Sequence, residues 1–370
     1  YRLYDAYNVS SFNNEKTFTV SNTRNNPTLK NETTEELEFG VETAFLKGRV
    51  GMQLTYFNRK AYDQIIALDV SSTSGYSRVI INTGELQNTG FEAMLFAIPV
   101  KTDDFSWDIS MNYSSYNTKL NSLYGDLVDY ELSGASSKYA FIKSNVGGDY
   151  GVLYSKQGYL YDDDGNKIVD NDGFFEVSGK PEKVGSILPD FNGGVMNTFN
   201  FKGITLSALV DFQKGGLIYS SANLWATASG QMPETVGLND LGNPFRDNIA
   251  DGGGIRSDGV FSDGTPNDVY VDARLYFRNQ RDFAEEYMYD ASFIKLREVK
   301  IGYTLPLSIS SKLKSQAVSI SVVGRNLALL YANTVGFDPE AVNTISNVQG
   351  IEGGSLPSTR SIGFNINFKF

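Results

Sequence analysis

The chain closes on Ser361-Ile-Gly-Phe-Asn-Ile-Asn-Phe-Lys-Phe370, which puts Ile362, Phe364, Ile366, Phe368 and Phe370 on one parity and small or polar residues on the other. Side chains of an extended strand alternate between its two faces, so this stretch presents one wholly apolar face and one wet face. A strand with lipid on one side and an aqueous lumen on the other needs that pattern. A soluble sheet also alternates, but there the apolar face must be covered by a second layer. The stretch therefore predicts a transmembrane β-barrel strand with Phe370 at a membrane rim.

The same alternation recurs upstream. Leu37, Phe39, Val41, Thr43 and Phe45 share one parity, with Glu36, Glu38, Gly40, Glu42 and Ala44 on the other. Leu46-Lys-Gly-Arg49 reads as a tight turn, after which Val50, Met52, Leu54 and Tyr56 run back as the second arm of a hairpin. A third strand carries Phe91, Ala93 and Leu95, and a turn is expected over 99–104. The fourth carries Phe105, Trp107, Ile109, Met111 and Tyr113. A further hairpin spans 191–213 about Phe201-Lys-Gly203, and strands follow over 291–305, 317–327 and the carboxyl terminus. In 291–305 the apolar phase shifts: Ile294 and Leu296 have one parity, while Val299, Ile301 and Tyr303 have the other. That shift predicts a β-bulge at about Arg297 or Glu298.

These readings give nine antiparallel strands with alternating connections: short at 46–49, 99–104, 201–203 and 306–316, long at 66–86, 119–190, 214–290 and 329–358. Outer-membrane barrels keep short periplasmic turns and longer extracellular loops. On that orientation Phe105, Trp107 and Phe370 lie towards the periplasmic rim, where aromatic rings favour the headgroup level. Nine is an odd number, whereas bacterial single-chain barrels have an even one, and open ladder edges are not tolerated in lipid. The expectation is a carboxyl-terminal part of a larger barrel.

Composition narrows the chemistry. The 370 residues include 22 Tyr, 24 Phe, 2 Trp and 36 Gly, with no Cys and no His. Without His, the usual general base and metal ligand are missing, along with every Ser–His or Cys–His nucleophile pair. A barrel hydrolase would have only Lys, Asp or Glu as base, and no enzyme is expected. The net charge of −11 argues against nucleic acid, whose phosphates require clustered cations.

Several segments resemble one family. They are Asp290-Ala-Ser-Phe-Ile-Lys-Leu-Arg-Glu-Val-Lys-Ile-Gly-Tyr-Thr-Leu-Pro306, Gly324-Arg-Asn-Leu327, Gly336-Phe-Asp-Pro-Glu340 and Gln349-Gly-Ile-Glu-Gly-Gly-Ser-Leu-Pro-Ser-Thr-Arg360, preceded by Asn82-Thr-Gly-Glu-Leu-Gln-Asn-Thr-Gly-Phe-Glu92 and Pro189-Asp-Phe191. In this order, over residues 30–370, they resemble the carboxyl-terminal portion of SusC/RagA-like TonB-dependent outer-membrane transporters. The resemblance implies a 22-stranded barrel, all of residues 1–370 being barrel, with a plug domain and the amino-terminal strands lying elsewhere. It implies a SusD-like surface lipoprotein as partner, TonB as motor acting through the plug, and import of oligosaccharides or peptides across the outer membrane. A barrel that no longer transports and serves as a fixed subunit of an envelope assembly is the alternative.

Two groups of loop residues are candidate sites. Tyr124, Tyr130, Tyr139, Tyr150, Tyr154, Tyr159 and Tyr161 crowd one long loop and Trp225 lies in another. Aromatic faces stack on sugar rings and the Tyr hydroxyl shares hydrogen bonds with polyols, so these rings could contact substrate; for any single ring, packing of loop on loop or on the lid protein is the favoured reading. Asp162, Asp164 and Asn166 could supply oxygens to Ca2+. The run is not an EF-hand, since Lys167 stands where a Gly is required, and a solvated Asp/Gly turn is the favoured reading.

Overall fold

A computed structural model describes residues 3–342 and 349–370. Its main element is one antiparallel sheet of nine strands: β1 (Thr33–Phe45), β2 (Val50–Tyr62), β3 (Glu85–Lys101), β4 (Phe105–Ser122), β5 (Pro189–Phe201), β6 (Ile204–Gly215), β7 (Phe293–Thr304), β8 (Ala317–Ala332) and β9 (Ser361–Lys369). Each strand pairs with its sequence neighbours, and β1 and β9 form the two edges, so the described sheet does not close on itself. At 17 and 18 residues, β3 and β4 exceed the about 9–11 that cross a bilayer and so project beyond it. Among the described residues no helix is long and apolar enough to span a membrane.

Register fixes the two faces. Leu54 faces Val41 and Ala93, which continues to Tyr113, while Ile204, Leu206 and Ala208 face Tyr303, Ile301 and Val299. On the last pair Val322 meets Phe364 and Ile320 meets Ile366. Because directly opposed residues share a face, this ladder is one continuous apolar surface. No layer covers it: Phe39 and Phe364 are 63 % and 65 % exposed. The opposite face carries Gln53, Asn112, Ser114, Asn192, Ser207, Gln213, Ser321, Asn365 and Asn367.

The bulge falls at Arg297. Leu296 pairs with Val210 and Ala328, Glu298 with Leu209 and Arg325, and Arg297 lies unpaired between them. The extra residue returns Ile294 and Leu296 to the face that holds Val299, Ile301 and Tyr303. The change of parity in sequence is thus what keeps a single apolar face in space.

Turn chemistry explains the trim rim. Lys202 and Gly203 both adopt positive φ, 47° and 88°, the pair of left-handed conformations a two-residue hairpin needs. Pro99 corrects the expected turn at 99–104. The strand continues to Lys101, and Pro99 falls where the β3–β4 register slips between Ala97 and Val100. A bulge tolerates a residue without N–H, so proline there does not end the strand. Near this rim Trp107 stacks on Phe199 at 5.7 Å, and its Nε1 donates to Asn197 Oδ1 at 3.2 Å. That bond satisfies an amide on the lipid-facing parity, in the aromatic belt expected of an interface.

Expectation and structure differ in three more places. A hairpin of Tyr7–Phe12 and Glu15–Val20 stands outside the main sheet, turning on Asn13 and Asn14, both at positive φ. The strand expected over 317–327 runs on to Ala332. The short connection 305–316 holds a helical turn, Leu307–Ser310.

The dry core sits in the long connections. Leu132, Tyr139, Ile142 and Leu153, from between β4 and β5, pack with Tyr219, Leu224, Ala284 and Tyr287, from between β6 and β7, and with Ile351, from between β8 and β9. Two short helices belong to this ledge, α1 (Ser221–Ala228) and α2 (Ala273–Asn279). The Ser220 side chain caps α1 by accepting from Asn223 N–H, and it donates to the buried carboxylate of Glu352 at 2.5 Å.

Candidate functional site

The wet face of the sheet forms a concave wall with a hollow of about 640 Å³, lined among others by Gln53, Glu92, Asn112, Asn192, Gln213 and Glu340. Amides and carboxylates at strand spacing, with Met94, Leu209 and Phe293 among them, give a surface that mixes hydrogen-bonding groups with apolar patches. Such a surface suits passage of a polar solute or contact with another polar surface.

One cluster on this wall is built. Arg297, freed from the ladder by its bulge, donates from Nε to Asp211 at 2.7 Å, from Nη1 to Asn326 Oδ1 at 2.9 Å and from Nη2 to both carboxylate oxygens of Glu340 at 2.9 Å. Lys295, two residues earlier, donates to Asp338 at 2.6 Å and Glu340 at 2.5 Å, and its side chain is 5 % exposed. The Ser358 hydroxyl donates to the second oxygen of Asp338 at 2.5 Å. Asp338 and Glu340 lie in Gly336-Phe-Asp-Pro-Glu340, so these bonds strap the connection between β8 and β9 against the wall. The strap has a second anchor in the ledge, where Tyr219 N–H donates to Gly350 C=O at 2.8 Å.

Burial alone would raise the Asp338 carboxyl, but the bonds from Lys295 and Ser358 prevail and hold it down at about 2. A carboxylate whose folded value is depressed stabilises above its ordinary value of 3.8 and loses that contribution as pH falls towards 2. The strap is therefore expected to stay docked at pH 5 and to open between about pH 4 and pH 2. Hydrogen exchange across 336–342 at stepped pH checks this; protection unchanged at pH 2 would contradict it.

The candidate rings separate by placement. Tyr139, Tyr154 and Tyr159 are buried. Tyr159 stacks on Phe283 at 3.8 Å with Lys167 Nζ 3.4 Å above the ring, and Tyr154 stacks on Phe141 at 5.3 Å. Tyr130 and Tyr150 pack half-buried against the ledge core, and burial, then Tyr130, pushes the Tyr150 hydroxyl up to about 12. Tyr124 and Trp225 are exposed; Trp225 meets Tyr139 edge-on at 5.9 Å and lies 5.6 Å from the Arg281 guanidinium.

At 162–166 the Asp162 carboxylate accepts from the backbone N–H of Asp164 and Asn166 and from Asn166 Nδ2, at 2.8–3.0 Å. The bonds from Asn166 hold its carboxyl below the usual range. Both oxygens thus serve a local turn. Among the described residues no cluster of three or more acidic, His or Cys side chains could hold a metal ion. Asp162→Ala is expected to loosen this turn, read as faster proteolysis at 162–166 with the sheet untouched.

The strap itself was not anticipated as a site. Its two halves were each visible, as the bulge at Arg297 and as the Gly336–Glu340 segment, but nothing in sequence couples positions more than forty residues apart.

An uncovered apolar face, a polar concave face and connections that alternate between trim and elaborate rims define an outer-membrane β-barrel wall. The chain belongs to the TonB dependent receptor-like, beta-barrel family, whose model matches residues 1–206, and it is SusC/RagA-like. It is 26 % identical over 372 residues to TonB-dependent receptor P3 of Formosa agariphila, covering 93 % of this chain and 35 % of that one. TonB-dependent receptor SusC of Bacteroides thetaiotaomicron is 23 % identical over 354 residues, covering 93 % and 32 %. The chain thus spans about a third of the length of the curated relatives it matches. It shares its fold with the RagAB peptide transporter, at a TM-score of 0.71 and 19 % identity over 100 % of this chain and 39 % of that one. The family's barrels are outer-membrane proteins.

Proposed function

We propose that this chain is the wall and extracellular ledge of a TonB-driven importer of oligosaccharides or peptides that works with a SusD-like lipoprotein seated over the long connections. The observation that carries the reading is the division of faces: one face of the sheet is a continuous, uncovered apolar ladder, and the other collects most of the strands' hydrogen-bonding side chains. A passage for polar solutes needs that wall, and a lid protein needs the large ordered ledge above it. The relatives named above are TonB-dependent receptors and the structural neighbour is a peptide transporter, which supports the same reading. No bond is made or broken by this chain; it positions a solute, and the energy comes from TonB acting on a plug domain.

In cells carrying the receptor, deletion of the plug's TonB-contacting segment is expected to abolish uptake of a labelled oligosaccharide or peptide pool while the barrel still assembles. Unchanged uptake and growth would instead favour a fixed envelope subunit. A co-purifying lipoprotein accompanied by glycoside hydrolases would indicate sugar, and one accompanied by peptidases would indicate peptide.

A further inference from the structure

On the ledge, the end of α1 and the start of α2 enclose a hollow of about 520 Å³, separate from the lumen wall. That volume lies within the about 300–1,000 Å³ usual for small-ligand sites. Its floor is apolar, formed by the buried Ala228, Ala273 and Phe277, and Arg246, Arg274 and Arg278 border it. In a chain of net charge −11, three guanidiniums around one hollow are a marked local inversion of sign.

The charges of these cations are only partly answered within the protein. Arg246 is held rigidly, donating from Nε to Thr235 C=O at 2.7 Å and from Nη2 to Gly230 C=O and Thr235 Oγ1 at 2.8 Å. Among the described residues it has no carboxylate partner, and neither has Arg278. The single acidic lining residue, Asp272, is spent on capping α2: it accepts from the N–H groups of Arg274 and Leu275 and lies 3.9 Å from Arg274 Nε. A guanidinium presents a planar fork of donors that matches carboxylate and sulfate oxygens. Trp225 lies on α1 one turn before Ala228 and Ser229, which border the hollow; it is 48 % exposed, with Tyr139 and Arg281 against its ring.

We propose that this hollow binds an acidic sugar residue of an anionic oligosaccharide, its carboxylate or sulfate received by the three arginines and the neighbouring ring stacked on Trp225. The inference names a substrate class for the importer and so rests on that reading, but binding at the ledge needs neither TonB nor transport.

The test is equilibrium binding to the purified receptor, with hexagalacturonate, maltohexaose and hexaglutamate as probes. Arg274 and Arg278 make no bond on which the ledge depends, so Arg274→Gln/Arg278→Gln should fold; resistance of the ledge to protease confirms that it does. Hexagalacturonate is expected to bind, more tightly than maltohexaose and with affinity falling as salt rises, and to lose at least tenfold in the double variant. Trp225→Ala should weaken it as well. The proposal is overturned if hexagalacturonate does not bind, if the double variant binds it unchanged, if maltohexaose binds equally well, or if hexaglutamate displaces it at lower concentration. It is also overturned if the double variant loses only a co-purifying lipoprotein, which would make the arginines protein contacts. Loss of TonB-dependent uptake as a property of the receptor, with arginine-dependent binding intact, would remove the transport reading and leave this site standing.

Discussion

Lys295→Met should free the connection between β8 and β9 from the barrel wall. Among the described residues Lys295 is the one cation that bridges Asp338 and Glu340, and it is almost wholly buried. Methionine fills much of its volume but leaves two carboxylates facing each other with Arg297 alone to balance them, and Arg297 is already shared with Asp211. Removing one partner of a buried ion pair costs about 3–5 kcal/mol because the remaining charge stays desolvated. Such a loss raises the open population of the strap by at least two orders of magnitude. Hydrogen exchange over 336–342 and protease sensitivity at the extracellular face read it directly. Lys295→Arg, which keeps the charge, should retain most of the protection, whereas equal protection in Lys295→Met and the parent would show that the network does not hold the strap.

The second large effect concerns the faces of β9. Phe364 pairs with Val322 and has no covering layer, whereas its neighbour Asn365 pairs with Ser321 on the wet face. Arginine at a lipid-facing position near the bilayer midplane costs about 2–4 kcal/mol, while a lumen position accepts it nearly freely. Phe364→Arg is therefore expected to lower folding stability in vesicles by that amount and to reduce assembled receptor in cells. Asn365→Arg, one residue along, should do neither. Equal effects at both positions would mean that the two faces see the same surroundings.

How much could be read in advance follows from what carries period. All nine strands were legible because lipid on one side and water on the other impose a two-residue rhythm that survives any choice of particular side chains. The bulge at Arg297 was legible for the same reason, since a break in rhythm from Leu296 to Val299 has only one cheap geometric resolution. Pro99 misled because proline punctuates turns far more often than it occupies bulges. In the ledge the signal disappears: irregular backbone has no period, so Tyr159, stacked under Lys167, and Tyr124, exposed, look alike in sequence. Asp162 shows the same limit from the other side, because an Asp/Asn/Gly turn and a cation loop draw on identical residues. The strap and the arginine hollow were out of reach, for each joins segments that only the folded loops bring together.

Everything in the account depends on what the alternate residues of the strands touch, and the absence of cysteine makes that directly measurable. Single cysteines placed one at a time over 361–369 in the receptor, reconstituted in vesicles, can be labelled with a fluorophore and challenged with lipid-borne and water-borne quenchers. Positions 362, 364, 366 and 368 should be quenched from the lipid, and 363, 365 and 367 from water. Lipid quenching that shows no alternation, or apolar positions shielded from both quenchers as in a dry core, would contradict the barrel-wall assignment.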